Sequence, residues 1–203
     1  MKLYYSPGAC SLAPHIVLNE IGGSFEIEKV DLAAKTTGAG ADFKAVNSKG
    51  YVPTLDTGKD GILTEVATIL QYLGDKAEDS GLLPKFGGMD RYRAMESLNF
   101  VASELHKGIG GLFNKAMPEE GRKVIIDRLG VRLGWLDAQL AKKPYLLGDA
   151  FSVADAYAFT VLNWGQWVGV DMKQWLNISA FMDRVGARPA VQAALKSEGL
   201  LPA

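Results

Sequence analysis

A single cysteine stands among the 203 residues, in the run Tyr4-Tyr5-Ser6-Pro7-Gly8-Ala9-Cys10-Ser11-Leu12-Ala13. A thiol can serve as nucleophile, redox group or inert packing atom, and its surroundings decide which. Leu3-Tyr4-Tyr5 is apolar and aromatic, as in a short strand, and Ser6-Pro7-Gly8 is turn chemistry. From Ser11 onward Leu12, Ile16, Val17 and Ile21 fall at helical spacing until Gly22-Gly23 supplies a stop signal. Cys10 is therefore expected at a strand-to-helix junction, where unpaired backbone N–H groups and the helix dipole favour a thiolate. Most lone cysteines are small buried hydrophobes; a loop position, rather than an apolar helix face, favours the reactive reading.

No second thiol is available, since position 7 is Pro and position 13 is Ala, so there is no C-x-x-C pair. A mixed disulfide on Cys10 could be resolved only by a sulfur arriving on a small molecule, which points to glutathione or a similar thiol cosubstrate. Elsewhere, Asn99, Ser103, His106 and Lys107 are spaced i, i+4, i+7 and i+8. The first three form a polar stripe centred roughly 110° round a helix from Leu98, Ala102 and Leu105. Alone, such a stripe reads as a solvated face. Beside a thiol, His106 becomes a group able to hold or exchange a proton near neutral pH. His15, inside the first helix, has no such neighbours and reads as a satisfied structural histidine.

Leu63-Thr64-Glu65-Val66 places a carboxylate at a helix start. Glu65 can simply favour the dipole there, or accept a substrate ammonium while the Val66 N–H meets a carboxylate. Val52-Pro53, if cis, would offer the Val52 backbone to an extended peptide. One ammonium, two carboxylates and a peptide-like middle describe a γ-glutamyl tripeptide. Tyr157, Trp164 and Trp167 suggest an aromatic-lined pocket, although aromatics at this spacing more often fill a core.

The elements that must position these groups divide in two. Phe25 to Val30 alternates as a half-buried strand, Val52 to Asp56 and Ile62-Leu63 read as two strands joined by a Gly-containing turn, and a helix extends from about Glu65 to Gly74. The segment 31–50 reads as irregular, with one helical turn near Asp42-Phe43-Lys44. A β-α-β-β-β-α unit over residues 1–80 is thus expected, then a linker rich in Gly and Pro. Over residues 88–203 everything reads as helical. Leu98, Ala102, Leu105, Ile109 and Leu112 make one stripe in a helix spanning about 89–117, and Ile126, Leu129, Leu133, Leu136 and Leu140 make another. Ser152-Val153-Ala154-Asp155 resembles a capping box, opening an apolar helix to about Trp167. The expected fold class is an α/β unit followed by an all-α helical bundle.

Composition excludes several classes. A formal net charge of −1 gives no electrostatic reason to expect nucleic acid or an anionic membrane as partner. Two His and one Cys make no zinc-ligand cluster and no intrachain disulfide. No apolar run is long enough to span a bilayer, the N-terminus reaches a turn too early for a signal peptide's apolar core, and a reducing cytoplasm is the expected compartment.

The chain resembles a glutathione transferase, and more narrowly the bacterial beta class, over essentially all of its length. The resemblance is carried by Lys2 through Ser11, Lys49-Gly50-Tyr51-Val52-Pro53, Leu63-Thr64-Glu65, Leu98-Asn99-Phe100, Ser103 through Lys107 and the Ser152–Asp155 box. It implies a thioredoxin-like first domain with Pro53 cis, and a homodimer with glutathione as cosubstrate and no resident cofactor. Cys10 and His106 would meet the glutathione sulfur, and Val52 its cysteinyl backbone. Glu65 and Val66 would hold the γ-glutamyl end, joined across the dimer by Asn99 and Ser103, with Lys35 and Lys107 near the glycyl carboxylate. Where this chain has Val66, glycine or serine is common, so a main-chain contact survives but a hydroxyl contact does not; Thr68 is also more polar than usual. The implied activity is conjugation of glutathione to a small, hydrophobic electrophile, with thiol transfer or reductive dehalogenation through a Cys10 mixed disulfide as the alternative. A non-catalytic binding or regulatory protein on the same fold is the alternative of another class.

Overall fold

A computed structural model describes residues 1–201 of the chain. Strand β1 (Lys2–Tyr5) lies central in a five-stranded sheet whose order across the sheet is β3 (Thr36–Thr37), β2 (Glu26–Asp31), β1, β4 (Thr54–Asp56) and β5 (Ile62–Thr64). Helix α1 (Leu12–Ile21) carries the chain from β1 to its parallel neighbour β2 (Glu26–Asp31), with Leu3 opposite Ile27. On the other side β1 runs antiparallel to β4 (Thr54–Asp56), with Leu3 opposite Leu55, and β5 (Ile62–Thr64) closes that edge. A strand's side chains alternate between faces. Leu3 and Tyr5 accordingly join the main core under α1 and α3 (Val66–Lys76), whereas Tyr4 joins Val30, Phe43 and Val52 on the opposite face. Pro14 sits in the first turn of α1, where its missing N–H has no intrahelical acceptor to lose.

Two elements in the segment read as irregular are ordered by short-range geometry. Thr36–Thr37 forms β3, an edge strand of two residues paired with Val30 and Asp31. Such a strand is too short to show alternation. Helix α2 (Phe43–Val46) is capped by the Asp42 side chain, which accepts from Lys44 N.

From residue 66 onward every described element is helical, so the fold is a thioredoxin-like α/β unit packed on a helical bundle. The single helix expected over 89–117 is divided into α4 (Met89–Phe100), a wide π-helical turn at Val101–His106, and α5 (Lys107–Gly111). A π turn inserts an extra residue and rotates the helix beyond it. Val101, three residues after Leu98 on the same face, is fully buried, while Ala102 of the expected stripe is only half-buried. Helix α6 (Glu119–Leu140) buries Leu129, Leu133, Leu136 and Leu140, but Ile126 is exposed. Its place in the stripe belongs to Ile125, four residues before Leu129, which packs against the core.

Helix α7 (Val153–Leu162) has all ten residues buried, as its scarcity of charge indicates for a central helix. It stops at Leu162, short of Trp167, and is succeeded by a separate turn, α8 (Gly165–Val168). A Cβ on Gly165 would lie 2.6 Å from the Val170 carbonyl oxygen, so glycine is required for that close return of the chain. Helices α9 (Leu176–Gly186) and α10 (Pro189–Ser197) complete the bundle. One core runs without a break from Leu3 through Leu73, Leu98 and Leu133 to Val191. Charge pairs add ties across it: Arg91, 2% exposed, donates twice to Asp75 at 2.6 and 2.9 Å, and Arg188 donates twice to Glu20.

Candidate active site

Cys10 sits in the loop between β1 and α1, two residues before the helix proper. The loop is a tight turn: Ala9 N donates to Ser6 O at 3.0 Å and Gly8 adopts φ +71°. The Ser11 hydroxyl accepts from Ser6 N at 3.1 Å, pinning the other end. The helical part of the molecule holds both the N–H and the C=O of Gly8. Gly8 N donates to Glu198 Oε2 at 2.9 Å, and Trp164 Nε1 donates to Gly8 O at 2.8 Å. Glu198 is backed by His15, whose Nδ1 lies 2.8 Å from Oε1, so His15 is the satisfied structural histidine that its isolation suggested. Glu198 carries no local signal in the sequence; its role exists only because α10 returns against α1.

The Cys10 Sγ lies 3.3 Å from the Val52 carbonyl oxygen and donates to it, next to the cis Val52–Pro53 bond. Its state differs from the expected thiolate. The backbone N–H groups of Cys10 and Ser11 do lower the thiol pKa, but burial is the larger effect and pushes it up to about 12. Cys10 in the free protein is a neutral S–H donor.

Glu65 is held at φ +73°, a conformation that non-glycine residues seldom adopt, just ahead of α3. It therefore sits outside the helix rather than in its first turn. Lys49 Nζ and the Tyr51 hydroxyl both donate to its Oε1 at 2.6 Å, and these two donors hold its carboxyl below the usual range. Oε2 has no partner among the described residues. Lys49 and Tyr51 belong to the Lys49-Gly50-Tyr51-Val52-Pro53 marker, yet nothing in their spacing showed that they reach Glu65. Val66 opens α3, where the first N–H groups lack intrahelical acceptors, and its side chain is buried. Thr68, two residues on, is exposed. Lys35 has φ +58° and donates through Nζ to Gly50 O at 2.8 Å, on the same loop.

His106 ends the π turn. Its Nδ1 is 2.6 Å from the Tyr157 hydroxyl, and its ring meets Trp164 edge-on at 4.9 Å. Because Trp164 also grips Gly8, it connects the Cys10 loop to His106. Burial, with a contribution from Lys107, lowers the His106 pKa to about 4, so the imidazole is neutral at pH 7. Tyr157 and Trp164 are buried, and Trp164 has its N–H occupied, so neither is an open pocket wall by itself. Phe113, half exposed and edge-on to Trp164 at 5.9 Å, and Trp167, half exposed beside Gly8, present the accessible aromatic surface. Phe113 was not singled out by its sequence context.

Asn99 and Ser103 are not brought to this site within one chain. Both are exposed, and the Ser103 hydroxyl is satisfied locally by Asn99 O at 2.9 Å. Lys107 is exposed beside them on α5. No group of acidic, His or Cys side chains among the described residues is arranged to hold a metal ion.

Residues 8–76 match the family model of the glutathione S-transferase N-terminal domain, and residues 100–189 match that of the C-terminal domain. The chain is 44% identical to the glutathione S-transferase GstA of Escherichia coli O157:H7, over 98% of this chain and 100% of that protein. A sphingomonad glutathione S-transferase solved in complex with glutathione superposes with a TM-score of 0.95 at 46% identity, covering 99% of this chain and 100% of that one. The bacterial beta-class glutathione S-transferase of Sphingomonas chungbukensis gives a TM-score of 0.95 at 44% identity with the same coverage. The thiol loop, the Glu65 clamp and the part-buried His106 are thus set in a chain that belongs to the glutathione S-transferase family and is similar to its bacterial beta-class members.

Proposed function

We propose that this protein conjugates glutathione to small, hydrophobic electrophiles, with glutathione as cosubstrate and no resident cofactor. The observation that carries the reading is Glu65. A non-glycine residue at φ +73° costs about 1–3 kcal/mol, and such strain collects at ligand-binding positions. Here it presents a carboxylate whose Oε1 is clamped and whose Oε2 is free, beside the open end of α3. That pair suits the ammonium and carboxylate of a γ-glutamyl group. The Val52 backbone, 3.3 Å from Cys10 Sγ, then lies where the cysteinyl residue would run, and Lys35 and Lys107 supply charge for the glycyl carboxylate.

In the reaction the thiol proton of glutathione is lost to solvent. The thiolate attacks the electrophilic carbon, a C–S bond forms and the leaving group departs with its electron pair. Cys10 S–H and His106 would stabilise the sulfur anion, and Phe113 and Trp167, backed by Trp164, would receive the electrophile. A neutral Cys10 favours conjugation over the second reading, thiol transfer or reductive dehalogenation through a Cys10 mixed disulfide, because attack on a disulfide needs the thiolate.

Steady-state assays with an activated aryl chloride and with a glutathione mixed disulfide separate the two. Cys10→Ala is expected to keep conjugation within about tenfold of wild type, the loss of one hydrogen bond to a charged group, while disulfide reduction disappears. Loss of both activities together would place Cys10 on the covalent path. The division into a glutathione-binding unit at 1–80 and a helical unit at 88–203, assembly as a homodimer with Asn99 and Ser103 directed at the partner's glutathione, a role in detoxification and a cytoplasmic location complete the proposal.

A further inference from the structure

The contact between Tyr157 and His106 lies on the side of the imidazole away from the proposed glutathione sulfur and has one chemical consequence. An imidazole and a phenol 2.6 Å apart share one proton along their hydrogen bond, and which group donates fixes the histidine tautomer. Tyr157 is 2% exposed, on a helix whose ten residues are all buried, and its hydroxyl has no other partner among the described residues. Were Nδ1–H to donate to the phenol oxygen, the phenol proton would be buried without an acceptor. An unsatisfied buried donor is rarely tolerated. The hydroxyl therefore donates to Nδ1, and the proton of the neutral ring is on Nε2. Trp164, tethered to Gly8 through its own N–H, packs edge-on against the His106 ring on another side.

We infer that Tyr157 is a positioning residue that holds His106 as the Nε2–H tautomer, so that the imidazole meets the glutathione sulfur as a hydrogen-bond donor and not as a proton acceptor. The inference rests on the conjugation reading for the identity of the sulfur, but the tautomer is a property of the free protein. Its consequence runs against the usual expectation for a histidine beside a thiol. With Nδ1 occupied by Tyr157 and Nε2 already protonated, the ring has no lone pair to offer. The thiol proton leaves to solvent when glutathione binds, and His106 stabilises the anion that remains.

The charged and titratable groups around the ring are compatible with that state. Lys107 is the next residue in the chain and opposes protonation; Glu65, ahead of α3, weakly favours it; Cys10 in the β1–α1 loop is neutral. Burial, with a smaller contribution from the Glu65 carboxylate, raises the Tyr157 phenol pKa, so the phenol keeps its proton to donate.

The test uses the fact that the chain has two histidines. Long-range ¹⁵N–¹H spectra of the uniformly labelled, glutathione-free protein show two imidazoles, and His106→Gln assigns them. At pH 7 the His106 ring should show a protonated, pyrrole-type Nε2 and an unprotonated, hydrogen-bonded Nδ1, unchanged down to about pH 5. Tyr157→Phe removes only the hydroxyl. It should mix the two tautomers, move the His106 titration upward and lower kcat for conjugation about tenfold with a smaller change in KM for glutathione. A protonated Nδ1 in the wild type, or an unaltered tautomer in Tyr157→Phe, overturns the inference. If the Phe variant does not fold, the wild-type spectrum decides alone. The expected tautomer without any conjugation would overturn the function and leave Tyr157 its role; conjugation with a protonated Nδ1 would do the reverse.

Discussion

Cys10 is subject to two opposing influences, and their balance sets its chemistry. The N–H groups at the start of α1 stabilise a thiolate, while the wall of the site removes the water that a thiolate needs. A pKa raised to about 12, above the ordinary value near 8.5, means less thiolate at every pH below it. Alkylation of the free protein by iodoacetamide at pH 7 should therefore be on the order of 10³ times slower than that of free cysteine, and should still be rising with pH beyond 9. A rate equal to that of free cysteine, levelling off near pH 8, would show that burial does not control this thiol. The sequence placed Cys10 in its loop, because the strand, turn and helix signals are local. It did not show what holds the loop, since Glu198 and Trp164 grip Gly8 from the later part of the chain. The same holds for His106: the polar stripe was visible, but not the Tyr157 hydroxyl that occupies one of its nitrogens.

At the scale of elements, α7 is the support on which the site rests, and its N-terminus is the point where that support is fixed. Asp155 accepts from Ser152 N at 2.8 Å, from the Ser152 hydroxyl at 2.6 Å and from Leu146 N at 2.7 Å, all within buried surroundings. Removing its side chain would leave two backbone N–H groups without acceptors, each costing about 1–3 kcal/mol. Chemical denaturation of Asp155→Ala should accordingly show a loss of about 2–5 kcal/mol, with Asp155→Asn intermediate because one oxygen remains. A loss below about 1 kcal/mol for the alanine variant would mean that the box does not anchor α7. This cap was legible from four residues, as capping is a short-range pattern. The π turn at Val101–His106 was not, because the 4, 3, 4, 3 spacing of Leu98 to Leu112 is what an unbroken α-helix also gives. The one-residue error between Ile125 and Ile126 has a similar origin: two adjacent isoleucines both fit a helical period, and only tertiary packing chooses.

For the molecule as a whole, one hydrophobic core joins the sheet-bearing part to the helices, so the thiol loop and its histidine are held by a continuous body. Outside that core, Phe100 and Trp135 pack with tilted rings, centroids 4.7 Å apart, on the α4–α6 face, with Trp135 half exposed beside a groove of about 910 Å³ that shares no residue with the site. An exposed aromatic face next to Asn99 and Ser103 is what the proposed homodimer requires. Sedimentation at micromolar concentration should give twice the 21.9 kDa of the chain, and a monomer at that concentration would remove the partner from the site. Both halves of the fold were readable from periodicity and turn residues; the Glu65 clamp was not, since it depends on a loop folding back over fourteen to sixteen residues.

Glutathione recognition through Glu65 is the claim on which the rest depends, and calorimetric titration of glutathione into the wild type and Glu65→Gln measures it most directly. Glutamine keeps the size and an acceptor for Tyr51 and Lys49 but removes the charge offered to the ammonium. The account predicts saturable binding to the wild type and a loss of about 10–100-fold in affinity for the variant, the worth of a charge-assisted hydrogen bond. Equal affinity in the two proteins, or no binding to the wild type, would contradict it.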